Sequence, residues 1–318
     1  MNARTRPGVP WRRAVLAVVA ASGLALGAAT AAAEPGHPPA ARATTGAKAV
    51  RAPAVTACDP TASSLRPSGP PQVTPGSFMA KIRARGYLIA GVDQSTYHFG
   101  FLNPLSGQIE GFDIDMIRAV AKAIFGDPGK VQFKAISDAQ RIPDTTNSTV
   151  DIVAHTMTIT CDRLKDVDFS SVYFEAHQKV LVLKNSSATS LDDLHDQKVC
   201  ATSGSDSVDR IKEHHAIAVK VAYWTDCLVL LQQGSVAAIS TDDSILDGLA
   251  AQDPWTKIIG KPLTDEPYGL AISRQHPEFV RFVNAVLQQL RTDGQWKTSY
   301  RNWLGNPVPN PPSAQYAG

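Results

Sequence analysis

From residue 87 to residue 304 the chain alternates between two hydrophobic periods, and that alternation restricts its architecture more than any other feature. Tyr87–Val92 and Val180–Leu183 are short apolar runs with the character of buried strands, and Val131–Ile136 alternates with the strand period of two. Asp151–Ala154 and Val236–Ile239 are further strand segments. Between them, Ile114, Ile117, Val120, Ala121 and Ile124 recur at helical spacing, and Gly126-Asp127-Pro128-Gly129 stops that helix. Phe279–Leu290 and Trp296–Leu304 read as amphipathic helices, and the stripe Trp296, Tyr300, Trp303 reads as the packed face of the second. Strands alternating with helices predict an α/β fold with mainly parallel sheets.

The first 75 residues have a different character. Arg4, Arg6, Arg12 and Arg13 precede a charge-free run from Ala14 to Ala33 that ends in Ala31-Ala32-Ala33. A basic start, an apolar middle and a small-residue end are the three parts of a secretory signal, so residues 1–33 are expected to be a signal peptide. The alternative is a retained membrane anchor. Residues 34–75 are rich in Ala, Pro, Gly, Ser and Thr with few large apolar side chains, the composition of a flexible linker. Pro307–Pro312 lies in a similar tail, 306–318. Residues 1–57 hold seven basic residues and one acid. They leave 24 of the 31 Lys and Arg and 28 of the 29 Asp and Glu for the remainder, a balance of −4 that does not suit a nucleic-acid binder. Export makes the four cysteines, Cys58, Cys161, Cys200 and Cys227, informative: an even number outside the cytosol suggests two disulfides, with three possible connectivities. Their dispersal, with no His at ligand spacing, argues against a metal site, and no cofactor is expected.

Gly111-Phe112-Asp113-Ile114-Asp115-Met116 resembles the signature of the family 3 extracytoplasmic solute-binding proteins, the amino-acid receptors of ABC importers. Further stretches follow in that family's order. They are Val150-Asp151-Ile152-Val153, Met157–Arg163, Val167-Asp168-Phe169-Ser170, Thr202-Ser203-Gly204-Ser205, Thr241-Asp242-Asp243, Pro267–Ala271, Asp293–Trp296 and Asn302–Gly305. The resemblance implies a two-lobed type II periplasmic-binding-protein fold. Lobe 1 would hold residues 76–177 and 264–305, lobe 2 residues 178–263. Two crossover segments near Tyr173–His177 and Thr264–Pro267 would form the hinge. It also leads us to expect disulfides Cys58–Cys161, stapling the N-terminal segment to the loop before Arg163, and Cys200–Cys227 within lobe 2.

The resemblance further implies a clamp for a zwitterion. Arg163 would fork onto an α-carboxylate with the Thr158 hydroxyl beside it. The amides of Thr202–Asp206, Ser205 included, would face the same anion. Asp242 would hold the α-ammonium with Thr156 as an added acceptor, and Asp243 would cap the helix that follows. Thr96 and Phe99, after the first strand, would wall the ligand. Gln140-Arg141-Ile142-Pro143 resembles a stretch of the glutamate/aspartate-binding group in which the arginine meets a distal carboxylate. Asp93 instead matches glutamine-binding relatives, and Asp138 and Asp144 are neighbours able to pair with Arg141 at the cleft rim. The expectation is a monomeric, extracytoplasmic, non-enzymatic receptor that binds glutamate or aspartate and delivers it to an ABC permease. The alternatives are a glutamine or asparagine receptor, a sensor acting through a membrane signalling partner, or a dehydratase on the same fold.

Overall fold

The computed structural model describes residues 58–317; the expected signal peptide and the linker up to residue 57 lie outside the described residues. Two α/β lobes are joined by a two-stranded ribbon. In lobe 1 the sheet runs, edge to edge, Val131–Ala135, Leu88–Val92, Ile152–Ala154, Ala271–Ser273 and Val167–Phe169. The first three strands are parallel, whereas Ala271–Ser273 runs antiparallel to both neighbours. Lobe 2 has the same plan. Ile217–Val221, Lys198–Thr202 and Ala238–Asp242 are parallel, while Phe174–Leu183 enters antiparallel and pairs on its far side with Thr256–Ile259. The exceptional strand in each sheet is the one arriving from the other lobe. It enters through the hinge instead of by the helical crossover that makes neighbours parallel.

The hinge is built by that long strand. Phe174–Leu183 starts beside lobe 1 and ends inside lobe 2, and Asp265–Tyr268 returns antiparallel to its first half, pairing Tyr268 with Phe174 and Asp265 with His177. The two crossovers thus form one hydrogen-bonded ribbon. A small sheet of Ser95–Thr96, Gly100–Leu102 and Ile109–Glu110 caps the cleft side of lobe 1.

The signature Gly111–Met116 opens the helix Phe112–Phe125, whose Ile114, Ile117, Val120, Ala121 and Ile124 are buried in the lobe 1 core. Gly111 has φ 139°, and a Cβ there would overlap the Phe99 carbonyl, so only glycine lets the helix start this close to the preceding strand. Asp115 accepts hydrogen bonds from Ser299 Oγ (2.6 Å) and Trp303 Nε1 (2.8 Å), docking the C-terminal helix Gln295–Leu304. Trp296 is buried and donates Nε1–H to the Tyr173 carbonyl at 2.8 Å, so the aromatic stripe is core. Lobe 2 has its own apolar core, in which Val180, Leu181, Val199, Ile211, Leu228, Leu231, Ile239 and Leu246 are buried.

Two expectations about the chain ends are corrected. Residues 58–75, assigned to the linker, lie on lobe 1. Ser64 is buried and donates to the Phe169 carbonyl, and Asn284 donates to both Ser64 Oγ and the Leu65 carbonyl. The tail folds back so that Ala317 bridges to Leu65, with Arg66 over the Tyr316 ring. Composition missed this because a few side-chain hydrogen bonds, one covalent link and the isolated apolar contacts of Leu65 and Val73 hold the strap, with no periodic apolar face. That link is Cys58–Cys161, and the second disulfide is Cys200–Cys227, buried in lobe 2. Among the described residues no helix is long and apolar enough to cross a membrane.

Candidate functional site

The parallel strands of both lobes point their carboxyl ends at the cleft, where loops can present polar groups without breaking the sheets. There a cavity of about 10 Å³, room for a single water, lies between the closed lobes. Lobe 1 lines it with Asp138, Arg141, Thr156 and Arg163, and lobe 2 with Ser205, Asp206, Ser207, Trp224, Thr241, Asp242 and Ile245. It is smaller than the roughly 300–1,000 Å³ of drug-sized pockets, and its wall is mostly polar.

Arg163 follows directly on the loop pinned by Cys161. Its side chain is buried, and Nη1 donates to the Thr158 carbonyl at 2.6 Å and lies 3.5 Å from Asp206 Oδ2. Nη2 donates to the Gly204 carbonyl at 3.5 Å. The same carbonyl receives Arg141 Nη2 at 3.2 Å, so two arginines of lobe 1 converge on one peptide group of lobe 2.

Arg141 is fixed on every side. Nε donates to the Asp138 carbonyl (3.1 Å), Nη1 donates to the His155 carbonyl (3.1 Å), and Nη1 also pairs with Asp138 Oδ1 at 2.8 Å. Asp138 in turn accepts the hydroxyl of Thr202 from lobe 2, closing a cross-cleft bond. Burial pushes the Asp138 pKa up, but Arg141, His155, Thr202 and Arg163 together outweigh it and hold the carboxyl below its ordinary value. His155 Nε2 donates to the Ile136 carbonyl at 2.9 Å, leaving Nδ1 at 3.4 Å from Asp138 Oδ1.

Asp242 ends the strand Ala238–Asp242 and is buried. Tyr268 Oη, from the hinge, donates to it at 2.5 Å. Burial drives its pKa well above the ordinary carboxylate value, with Glu266 and Asp206 adding repulsion. Such a carboxyl is stabilised by an arriving cation. Thr156 adopts φ 42°, a conformation costly for a β-branched residue. Its amide donates to Asp113 Oδ2 at 2.8 Å, and its buried hydroxyl has no partner among the described residues. The buried Asp113, held also by Tyr173 Oη at 2.6 Å, therefore fixes the strained residue at the cavity wall.

Of the residues singled out from sequence, the fold brings Arg141, Thr156, Arg163, Ser205, Asp206 and Asp242 to the cavity. Thr158 and Thr202 act at its edge, through the Thr158 carbonyl and the Thr202 hydroxyl. Asp93, Thr96 and Phe99 are elsewhere. Asp93 accepts from Gln94 N, Ser95 N, Ser95 Oγ and Thr96 Oγ1, so its charge is spent on its own turn. Phe99 packs edge-on against Phe112, Phe174 and Tyr268 in the lobe 1 core. Asp144 pairs with Lys134, leaving Asp138 as the partner of Arg141, in the interior and not at the rim. The N-cap of helix Asp243–Gln252 is Asp242, and Asp243 Oδ1 accepts from the amides of His177 and Ser244. The helix after Ser205 spans only Ser207–Glu213 and carries a carboxylate, Asp206, at the position read as facing an anion. Sequence reasoning did not assign Tyr268 or His155 to the site; Tyr268 reaches Asp242 from the hinge strand, and His155 approaches Asp138 from the end of strand Ile152–Ala154.

Two α/β lobes, a ribbon hinge and an interlobe cavity lined by opposed charges define a type II periplasmic binding protein. The chain belongs to the bacterial extracellular solute-binding proteins, family 3, whose model matches residues 88–306. It is 39% identical over 229 residues to the ABC transporter glutamine-binding protein GlnH of Bacillus subtilis, covering 71% of this chain and 84% of that protein. It is 26% identical to the glutamate/aspartate import solute-binding protein of Escherichia coli, covering 74% and 82%. Among solved structures, an ancestral arginine-binding protein bound to glutamine superposes with a TM-score of 0.66 at 34% identity, covering 70% of this chain and 99% of that one. The ancestral amino acid-binding protein AncCDT-1, a precursor of cyclohexadienyl dehydratase, superposes with a TM-score of 0.66 at 33% identity, covering 71% and 99%.

Proposed function

We propose that this protein is an extracytoplasmic receptor for an amino acid with a distal amide, glutamine foremost, and that it hands its ligand to an ABC importer. Arg163 takes the α-carboxylate and Asp242 the α-ammonium, with the unpartnered Thr156 hydroxyl beside them. The observation that carries the choice of side chain is the Arg141–Asp138 pair at 2.8 Å. An arginine already neutralised by a buried aspartate offers a donor and an acceptor side by side, which complements an amide. A second carboxylate would add an uncompensated charge to a cavity that already holds Asp138, Asp206 and Asp242 against two arginines. This reading ranks the amide ahead of the glutamate or aspartate expected from sequence. The 39% identity to a glutamine-binding protein, against 26% to a glutamate/aspartate one, supports the same order.

Binding works by closure. Arg141 to the Gly204 carbonyl and Thr202 to Asp138 join the two lobes directly, so a ligand that also bridges Arg163 and Asp242 favours this closed arrangement. The test is titration calorimetry with the twenty amino acids, each mixture then assayed for chemical change. Tightest binding of glutamine without turnover is the expected result. Tightest binding of glutamate or arginine, or conversion of the ligand, would overturn the assignment.

A further inference from the structure

The clamp just described gives Asp206 no partner in the ligand. Asp206 stands at the N-cap of helix Ser207–Glu213, where an aspartate ordinarily turns back to accept first-turn amides, yet its side chain makes no capping hydrogen bond. It reaches across the cleft instead, placing Oδ2 3.5 Å from Arg163 Nη1. We propose that Asp206 is a built-in stand-in for the ligand's α-carboxylate. It holds Arg163 and draws the lobes together when no amino acid is bound, and it gives up its place when the ligand arrives. The inference rests on the reading of Arg163 as the α-carboxylate clamp.

The pair is made to be displaced. It is one long contact, whereas a free carboxylate meets a guanidinium through two parallel hydrogen bonds. The Arg163 side chain is 9% exposed and that of Asp206 34%, so the arginine stays in the wall while the aspartate has water beside it. Asp206 lines the groove at the cleft mouth, where Arg210, one turn further along the helix, is already paired with Glu213 at 2.6 Å. The released carboxylate therefore turns to water at the groove. Burial raises the pKa of both Asp242 and Glu266, and Asp206 adds repulsion to each. Its departure relieves them as Asp242 accepts the ligand's ammonium.

Asp206→Asn keeps a good N-cap residue and removes the charge. In calorimetry at pH 7 the variant should bind glutamine about fivefold more tightly than wild type, the scale of a partly exposed ion pair. Weaker binding would make Asp206 a ligand contact, and unchanged binding a silent pair; either overturns the proposal. Arg163→Ala, run alongside, separates the two levels of the argument, since wild-type affinity in that variant condemns the clamp itself. In that event small-angle scattering in buffer without amino acid decides. Asp206→Asn should show a larger radius of gyration than wild type, and equal radii would overturn the latch.

Discussion

Replacing Asp138 with asparagine should cost stability and switch the ligand at the same time. The Asp138 carboxylate lies 2.8 Å from Arg141, and both residues are buried. Two unit charges at that distance attract by about 6 kcal/mol at an effective dielectric constant near 20. Desolvation of both groups consumes much of that, but deleting one partner typically costs about 3–5 kcal/mol because the other charge stays buried alone. Asp138→Asn preserves shape and an acceptor for the Thr202 hydroxyl, so urea unfolding should report a loss near the low end, about 3 kcal/mol. The freed Arg141 then favours a distal carboxylate over an amide. The glutamate-to-glutamine affinity ratio should rise by about 100-fold, equivalent to ~2.7 kcal/mol. Calorimetry with each ligand at pH 7 measures the ratio. The double variant Asp138→Leu with Arg141→Met removes the pair at similar volume; it should recover most of the stability and lose discrimination between the two ligands. A folded Asp138→Asn protein whose ratio moves less than twofold would refute the idea that this pair reads the ligand side chain.

Three further outcomes are expected. Gly248 sits inside helix Asp243–Gln252 of lobe 2, and a Cβ there would meet the Tyr97 carbonyl oxygen of lobe 1 at 2.7 Å. Gly248→Ala should leave thermal stability unchanged or slightly higher while weakening glutamine binding roughly tenfold, because helix propensity improves and closure is obstructed; undiminished affinity would contradict the closure model. Burial pushes the Asp113 pKa up to about 6, against the hydrogen bonds from Tyr173 and Thr156. The folded state then holds this proton more tightly than the unfolded chain does. Its contribution to stability is full below about pH 4 and falls as pH rises through 6, by about 3 kcal/mol. The stability of Asp113→Asn relative to wild type should grow over that interval in urea titrations, and a pH-independent difference would count against the assignment. Asp242, raised by burial first and by Glu266 and Asp206 next, must ionise to hold an ammonium. Wild-type affinity should therefore rise with pH and binding should release protons, detected by calorimetry in buffers of different ionisation enthalpy. Asp242→Asn should bind weakly at every pH, and retention of the pH dependence in that variant would remove Asp242 from the ammonium site.

What the linear chain determined follows from local physics and from the spacing of its motifs. Period-two and helical runs placed the central strands of both sheets and the long helices of lobe 1, because each of these elements must turn an apolar face inward whatever its neighbours do. The signature Gly111–Met116 located a helix start whose Gly111 and Asp115 have direct structural uses, and Arg163 and Asp242 stand at strand or loop ends where cleft residues belong. Tertiary structure decided how charges are shared. Arg141 had Asp93, Asp138 and Asp144 as candidate partners within fifty residues. Which of them it took depended on Asp93 closing its own turn and Lys134 claiming Asp144, facts of three-dimensional distance. Phe99 looked like a ligand wall but is core, because three aromatic rings from separate segments surround it. The strap 58–75 lacked an apolar signal and was fixed by a disulfide and by Asn284, more than 200 residues away in the chain. Sequence patterns report what a residue type prefers, whereas a buried charge is settled by whichever opposite charge the fold brings within reach. That outcome, in Arg141 with Asp138 and Arg163 with Asp206, sets the chemistry of the cleft.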